Sequence, residues 1–310
     1  MARYASTLFA TLLLPLLSVA AEAQSAWPQE CKLHRLATFP ITYHEGIFTV
    51  PVMVNGVEKK FMIDTGGYAS AINEDVAKAM GIPLKKIIGV NHIDAGSKVA
   101  EHWVTVDSLK LGNFEGKKFD LVAAGGSGGD SFDGVLAPDV LRNFDIEFDF
   151  ANQTMTLFKP HACDGRAVYW TQAYLSLPMR ITDSGHARIT VNIDGKDVGA
   201  IVDTGASFSM IAQRDAARIF DIKPDGGSPA DAETIVSGNG GTLAAHAYSF
   251  KTLSLGEIAL NHPNVRLYDG SNILRLEGTS FVLGMSELRF LHLYLAYKER
   301  ELYISVGEKH

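Results

Sequence analysis

The chain has 310 residues, 46% hydrophobic, 20% charged and 9% aromatic, enough apolar side chains for a sizeable core and not the composition of a disordered polypeptide. At roughly 100 to 200 residues per domain, the length fits about two domains. The 28 basic and 35 acidic side chains leave a net charge of −7 with no basic block, which argues against a nucleic acid partner and against an anionic membrane surface.

A short basic start, Met1 to Arg3, precedes the apolar run Ala5 to Ala20 and the small residues Ala21-Glu22-Ala23. This pattern predicts a signal peptide over residues 1–23, cleaved after Ala23; about 16 apolar residues fall short of the roughly 20 that a membrane span needs. Cys31 follows Pro28-Gln29-Glu30 and lacks the small apolar context of a lipid-modified cysteine. The expected product is exported, periplasmic or secreted, and free of the membrane after cleavage. In an oxidising compartment the two cysteines, Cys31 and Cys163, are expected to form one disulfide, worth at most about 4 to 5 kcal/mol by chain entropy. Only Gln24 to Arg35 stands between the cleavage site and the first repeat described next, so no zymogen is expected.

The chain carries one unit twice. Phe39-Pro40-Ile41 recurs as Leu177-Pro178-Met179. Val50, Val52 and Val54 alternate with other residues before Asn55-Gly56, as Ile189, Val191 and Ile193 do before Asp194-Gly195. Each set predicts a strand entering a two-residue hairpin. The return strands end in Phe61-Met62-Ile63-Asp64-Thr65-Gly66 and Ala200-Ile201-Val202-Asp203-Thr204-Gly205, 139 positions apart. A short helix is predicted after each triplet: Glu74 to Met80, with Asn73 as its cap and Gly81 as its stop, and Ala212 to Phe220. Further on, Leu109-Lys110-Leu111-Gly112 matches Leu253-Ser254-Leu255-Gly256, and the run Val135 to Arg142 matches Val282 to Arg289. Both runs lead into alternating strands ending at Leu157 and Ile304. Repeats of this size, mostly strand, read as two duplicated β domains rather than a solenoid. They divide the mature chain into residues 24–160 and 161–310, with Lys159-Pro160-His161 and Asp164-Gly165 marking the linker.

An aspartate leaving an apolar strand is held rigidly and partly desolvated, and a glycine two places on lets the backbone turn sharply beside it. If a pseudo-twofold axis relates the two units, the matching loops meet on it and Asp64 faces Asp203. Two carboxyls at hydrogen-bond distance share one proton and titrate as a pair. One can then act as general base on a water while the other polarises a carbonyl, which is hydrolysis without a covalent intermediate. A single Asp-Thr-Gly arises by chance about 0.1 times in a chain of this length, whereas two in register within a repeat are a far stronger signal.

These residues resemble the retropepsin and pepsin-like aspartic peptidases, over about residues 36 to 305. The resemblance implies an all-β, bilobal acid-protease fold of two retropepsin-like β-barrel lobes with short helices. Asp64 and Asp203 match the catalytic aspartates, Thr65 and Thr204 the threonines that interlock beneath them, and Gly66 and Gly205 complete the loops. The sequence departs from the family pattern at Ala137, where glycine is usual, and at Gly67, where a small Ser, Ala or Thr usually follows the triplet. The pepsin-type flap tyrosine is missing. Asp94, Ala95, Gly96 and Ser97 in the first unit, and Gly238, Asn239, Gly240 and Gly241 in the second, are the candidate flap residues; the latter set resembles the glycine-rich retroviral flap.

Gly125-Gly126-Ser127-Gly128-Gly129 satisfies the Gly-x-Ser-x-Gly pattern, but no helix follows and the run reads as a loop. The histidines show no metal-ligand spacing; His92, His102 and His246 are candidates to line a cleft, a surface or structural role being the default reading. The expected activity is that of an aspartic endopeptidase on a peptide or protein substrate, monomeric because one chain supplies both aspartates, favouring acidic pH and needing no cofactor or metal. The rival expectation is a peptide-binding module that keeps the cleft but does not cut.

Overall fold

In the computed structural model, which describes residues 33–88, 92–93, 99–125, 131–160, 167–222, 233–236, 242–269 and 279–309, each unit opens with the hairpin its sequence predicts. Ile47–Val54 returns as Val57–Ile63, and Ala187–Ile193 as Lys196–Val202. Both turn residues have positive φ in each case: Asn55 48° and Gly56 80°, Asp194 47° and Gly195 81°. That is the type I′ geometry whose twist matches the flanking strands, and it explains Asn-Gly and Asp-Gly at these places. Each return strand begins exposed and ends buried, at Phe61-Met62-Ile63 and at Ala200-Ile201-Val202. The aspartates are therefore delivered from the interior outward.

The strand that follows in space comes from much later in sequence. Gly134–Leu136 lies parallel to Val57–Ile63 and antiparallel to Ala71–Asn73; Phe281–Leu283 lies in the same way between Lys196–Val202 and Met210–Ala212. This inserted strand holds the backbone at each aspartate, since Asp64 N–H donates to Leu136 O at 2.9 Å and Asp203 N–H to Leu283 O at 3.0 Å. The first-lobe sheet turns back on itself, with Ile47–Val54 also pairing with His102–Leu111.

Helices are short: α1 Glu74–Ala79, α2 Pro138–Leu141, α3 Gln213–Phe220 and α4 Met285–Leu288. Asn73 does not cap α1 with its side chain, contrary to expectation. Its Nδ2–H donates instead to Phe132 O at 2.7 Å, because the buried amide finds a carbonyl across the sheet, and it leaves the acidic first-turn residues Glu74 and Asp75 to face the helix N-terminus.

A six-stranded antiparallel sheet joins the two lobes, in the order Arg35–Pro40, Thr154–Phe158, Asp145–Asp149, Leu291–Ala296, Glu301–Val306, Leu175–Pro178. Its middle seam pairs Ile146 with Leu295, Glu147 with Tyr294, and Phe148 with Leu293. Read outward from that seam, the strands of one lobe repeat those of the other in the same order, so the sheet carries the pseudo-twofold axis. The recurring Phe39-Pro40 and Leu177-Pro178 segments are its two edges, where a proline costs no ladder bond inside the sheet.

Residues 1–23, Cys31, Cys163, Gly126 to Gly129 and the candidate flap residues Asp94, Ala95, Gly96, Gly238, Asn239, Gly240 and Gly241 lie outside the described residues. The strands leading to the flap positions are described: His92–Ile93 pairs antiparallel with Val99–Ala100, and Glu233–Val236 with Thr242–Ser249. Among the described residues, no helix is long and apolar enough to cross a membrane.

Candidate active site

Asp64 and Asp203 stand at the ends of equivalent buried strands and meet across the pseudo-twofold axis. A Cβ added to Gly66 would lie 2.3 Å from Asp203 Cγ, and one added to Gly205 would lie 2.4 Å from Asp64 Cγ. Each glycine thus has to be a glycine because the opposite lobe's carboxyl occupies the space of a side chain. The two carboxyls are hydrogen-bonded to each other and only partly accessible to solvent.

Beneath them the two threonines are fully buried and crossed. Thr65 N–H donates to Thr204 Oγ1 at 3.1 Å and Thr204 N–H to Thr65 Oγ1 at 3.0 Å. The hydroxyls in turn donate across the axis, Thr65 Oγ1 to Val202 O at 2.6 Å and Thr204 Oγ1 to Ile63 O at 2.7 Å. Each hydroxyl both accepts and donates, so four backbone groups that have no ladder partner at this crossing are satisfied by two side chains.

A second pair of serines fixes the outer ends of the loops, which the sequence alone did not single out. Ser70 Oγ donates to Asp139 Oδ1 at 2.6 Å and accepts from Ala137 N–H at 2.9 Å. Ser209 Oγ donates to Glu287 Oε2 and accepts from Gly284 N–H at 2.9 Å. Glu287 is buried, and that burial raises its carboxyl above the usual range although Ser209 and Ser286 oppose the shift. Their recurrence four places after each threonine-bearing triplet was the available signal.

The two departures at Gly67 and Ala137 are one exchange. Gly67 corresponds to Ala206 and Ala137 to Gly284, so each lobe carries one methyl at this corner, on opposite members of the pair. In the first lobe a Cβ on Gly67 would lie 2.7 Å from Asp64 Oδ2 and 3.3 Å from the Ala137 methyl. In the second, a Cβ on Gly284 would lie 2.4 Å from Phe208 O and 2.8 Å from Ala206 O. Backbone cannot yield as a carboxylate can, so Gly284→Ala is expected to destabilise by about 2 to 3 kcal/mol and Gly67→Ala by less, with Gly67→Ala losing more activity than stability. Thermal unfolding alongside peptide cleavage separates the two.

The electrostatics of the pair are unequal. Burial raises the Asp64 carboxyl well above the usual range, and the Asp203 charge and its hydrogen bond push the same way. Burial also raises Asp203, but the Gly205 and Ala206 amides, the bond from Asp64 and the nearby His186 draw it back. Loop amides draw on both carboxyls: Gly205 N–H reaches Asp203 Oδ1 at 2.8 Å and Ala206 N–H the same oxygen at 3.1 Å, while Gly66 N–H reaches Asp64 Oδ1 at 3.0 Å and the Gly67 amide also draws Asp64 down. Two raised carboxyls bonded to each other hold one proton between them and titrate as a pair. Such a pair can take a proton from water at one carboxyl and give one to a carbonyl oxygen at the other.

Of the histidines marked from sequence, His102 is tied to Glu74 at 3.3 Å, away from the aspartates, and His246 lies on the strand Thr242–Ser249. The histidine beside the pair is His186. Among the described residues no three His, Cys, Asp or Glu side chains gather as metal ligands would.

A family model described as aspartyl protease matches residues 50–140 and again 189–286, together more than half of the chain and one match for each repeat. No curated protein matches the sequence. Among solved structures, the aspartic proteinase from Irpex lacteus superposes with a TM-score of 0.52 at 15% identity, covering 88% of this chain and 97% of that one. At that identity the likeness speaks for the fold, a bilobal acid-protease fold, while the paired family matches speak for descent. On both lobes, the chain belongs to the aspartyl protease family.

Proposed function

We propose that the protein is an aspartic endopeptidase in which Asp203 takes a proton from a bound water as it attacks the scissile carbonyl, and Asp64 donates its proton to the carbonyl oxygen. The observation that carries this reading is the facing of two hydrogen-bonded carboxyls over the crossed threonines. Asp64→Asn and Asp203→Asn are the direct variants. Thr65, Gly66, Thr204 and Gly205 keep the carboxyls in place, and an extended peptide between the lobes is the substrate class. The chemistry is proton transfer throughout and asks for no cofactor. The protein acts as an exported monomer, in the periplasm or outside the cell, with Cys31 and Cys163 as its disulfide, and the glycine hairpins at Asp94, Ala95, Gly96 and at Gly238 to Gly241 as its flaps.

The experiment is cleavage of a mixed peptide library from pH 3 to 9, with and without a statine-type transition-state analogue. Activity requires one proton on the pair. Because Asp64 is raised well above the carboxylate range, that proton is kept to higher pH than a free carboxyl would keep it, so the basic limb is expected above the ordinary carboxylate range while the acid limb follows Asp203. A bell-shaped, analogue-sensitive profile is the expected result; a profile flat to pH 9, or cleavage that ignores the analogue, would overturn the mechanism.

A further inference from the structure

The pseudo-twofold axis implies that each aspartate loop should meet the same side chain from the opposite lobe, and it does not. The turns Glu45-Gly46 and Ser184-Gly185 are equivalent, with φ of 90° at Gly46 and 89° at Gly185. In the first lobe the residue after that turn is Ile47, which packs with Met62 and Phe132 of its own lobe. The turn itself touches the second-lobe loop only through small contacts: a Cβ on Gly46 would lie 2.7 Å from Ser207 Cβ, and Ser207 Oγ donates to Glu45 O at 3.4 Å. In the second lobe the corresponding residue is His186. It is 1% exposed, reaches across to the first-lobe loop, and places Nε2 3.0 Å from Gly67 O. A carbonyl only accepts, so Nε2 carries the hydrogen. The Tyr68 ring meets the imidazole edge-on at 5.0 Å between centroids, which fixes its plane.

We propose that His186 is a positioning residue of the aspartate pair, holding the Asp64 loop by its bond to Gly67 and, when it carries charge, biasing the single shared proton toward Asp64. This rests on the peptidase reading above. The groups facing the ring are Asp203 at the end of Lys196–Val202, bonded to Asp64, and the Tyr68 phenol from the opposite loop; Asp183 lies three positions before His186 in its own turn, and Arg142, at the end of α2, packs on Gly185. The His186 charge draws the Asp203 carboxyl down. At the equivalent place the first lobe has Ile47, which carries no charge. The histidine in place of an aliphatic residue is one source of asymmetry that a symmetric fold cannot supply by itself.

The test compares His186→Leu, which loses both bond and charge, with His186→Gln, which keeps a donor for Gly67 O but never charges. His186→Leu is expected to lower kcat about tenfold with KM little changed, since loop misplacement acts on the reacting geometry. Removing the cation makes Asp203 harder to ionise, so the acid limb of kcat/KM should move up by about half a pH unit to one in both variants. His186→Gln should recover kcat toward the wild-type value while keeping the displaced limb; a histidine of purely structural use would recover both. An acid limb unmoved in both variants overturns the proposal. A readout independent of cleavage is the Nε2–H resonance of His186 in NMR, assigned with His186→Gln. A bond to Gly67 O protects that hydrogen from exchange, and a rapidly exchanging Nε2–H overturns the proposal even if no peptide is ever cut. Should His186→Leu fail to fold, the glutamine variant and the exchange of the ring hydrogen decide the matter.

Discussion

Asp64→Asn is expected to reduce kcat/KM by at least about 10³-fold while making the protein more stable, by about 1 to 2 kcal/mol at neutral pH. The loss follows because the amide can neither carry the shared proton nor give it up. The gain follows because the pair is a burden on the fold: burial and the Asp203 charge both oppose ionisation of Asp64, and the neutral amide removes that opposition. The sign in pH is fixed. Asp64 is raised in the folded state, so its folded form is not penalised below the ordinary carboxylate range and is penalised increasingly as pH rises through and above it. The stability advantage of Asp64→Asn over the wild type should therefore vanish toward pH 4 and grow as pH rises above it. Urea unfolding at both pH values, beside a cleavage assay, reads all three effects. Activity retained in Asp64→Asn, or in Asp203→Asn, would remove the mechanism; an advantage independent of pH would mean that the stabilisation has nothing to do with the charge.

Thr65→Val should cost about 2 to 4 kcal/mol. The substitution keeps the shape and deletes one hydroxyl, leaving the Thr204 N–H without an acceptor and the Val202 carbonyl without a donor, both in a crossing where the threonines are 0% exposed. Each buried orphan costs about 1 to 3 kcal/mol, and no water-filled space is needed to explain the threonines, which fill the site themselves. Thr204→Val should behave alike through Thr65 N–H and Ile63 O. Thr65→Ser is the control: it keeps the hydroxyl, loses a methyl, and should cost well under half as much. A negligible loss for valine beside a larger one for serine would mean that the threonine acts by packing alone.

What could be read beforehand was what local chemistry dictates. Asn55-Gly56 and Asp194-Gly195 mark type I′ turns because few other residues accept positive φ at both places. The triplets were legible because they recur in register after buried strands. His186 was not, since its partner Gly67 lies 119 positions away and nothing near it in sequence is unusual; His92, His102 and His246 looked equally good. Asn73 failed as a cap for a related reason: the local rule was right about the helix start, but a tertiary acceptor, Phe132 O, competed successfully for the side chain. Ala137 and Gly67 read as two separate departures until space was considered, when they became one methyl placed on the other member of a touching pair.

The sheet that joins the lobes also sets the order in which the chain can become a protein. Arg35–Pro40 pairs with Thr154–Phe158, and Leu175–Pro178 with Glu301–Val306, so each lobe is fastened by its own first and last strands. During synthesis the opening strand of a lobe waits, unpaired, for more than a hundred residues to follow it, and the strand Asp145–Asp149 stays a bare edge until Leu291–Ala296 arrives from the other lobe. Long-range closure of this kind folds slowly and exposes sheet edges meanwhile. The prolines at Pro40 and Pro178, each within a waiting strand, are placed where they deny a passing chain one of the hydrogen bonds it would need to add itself.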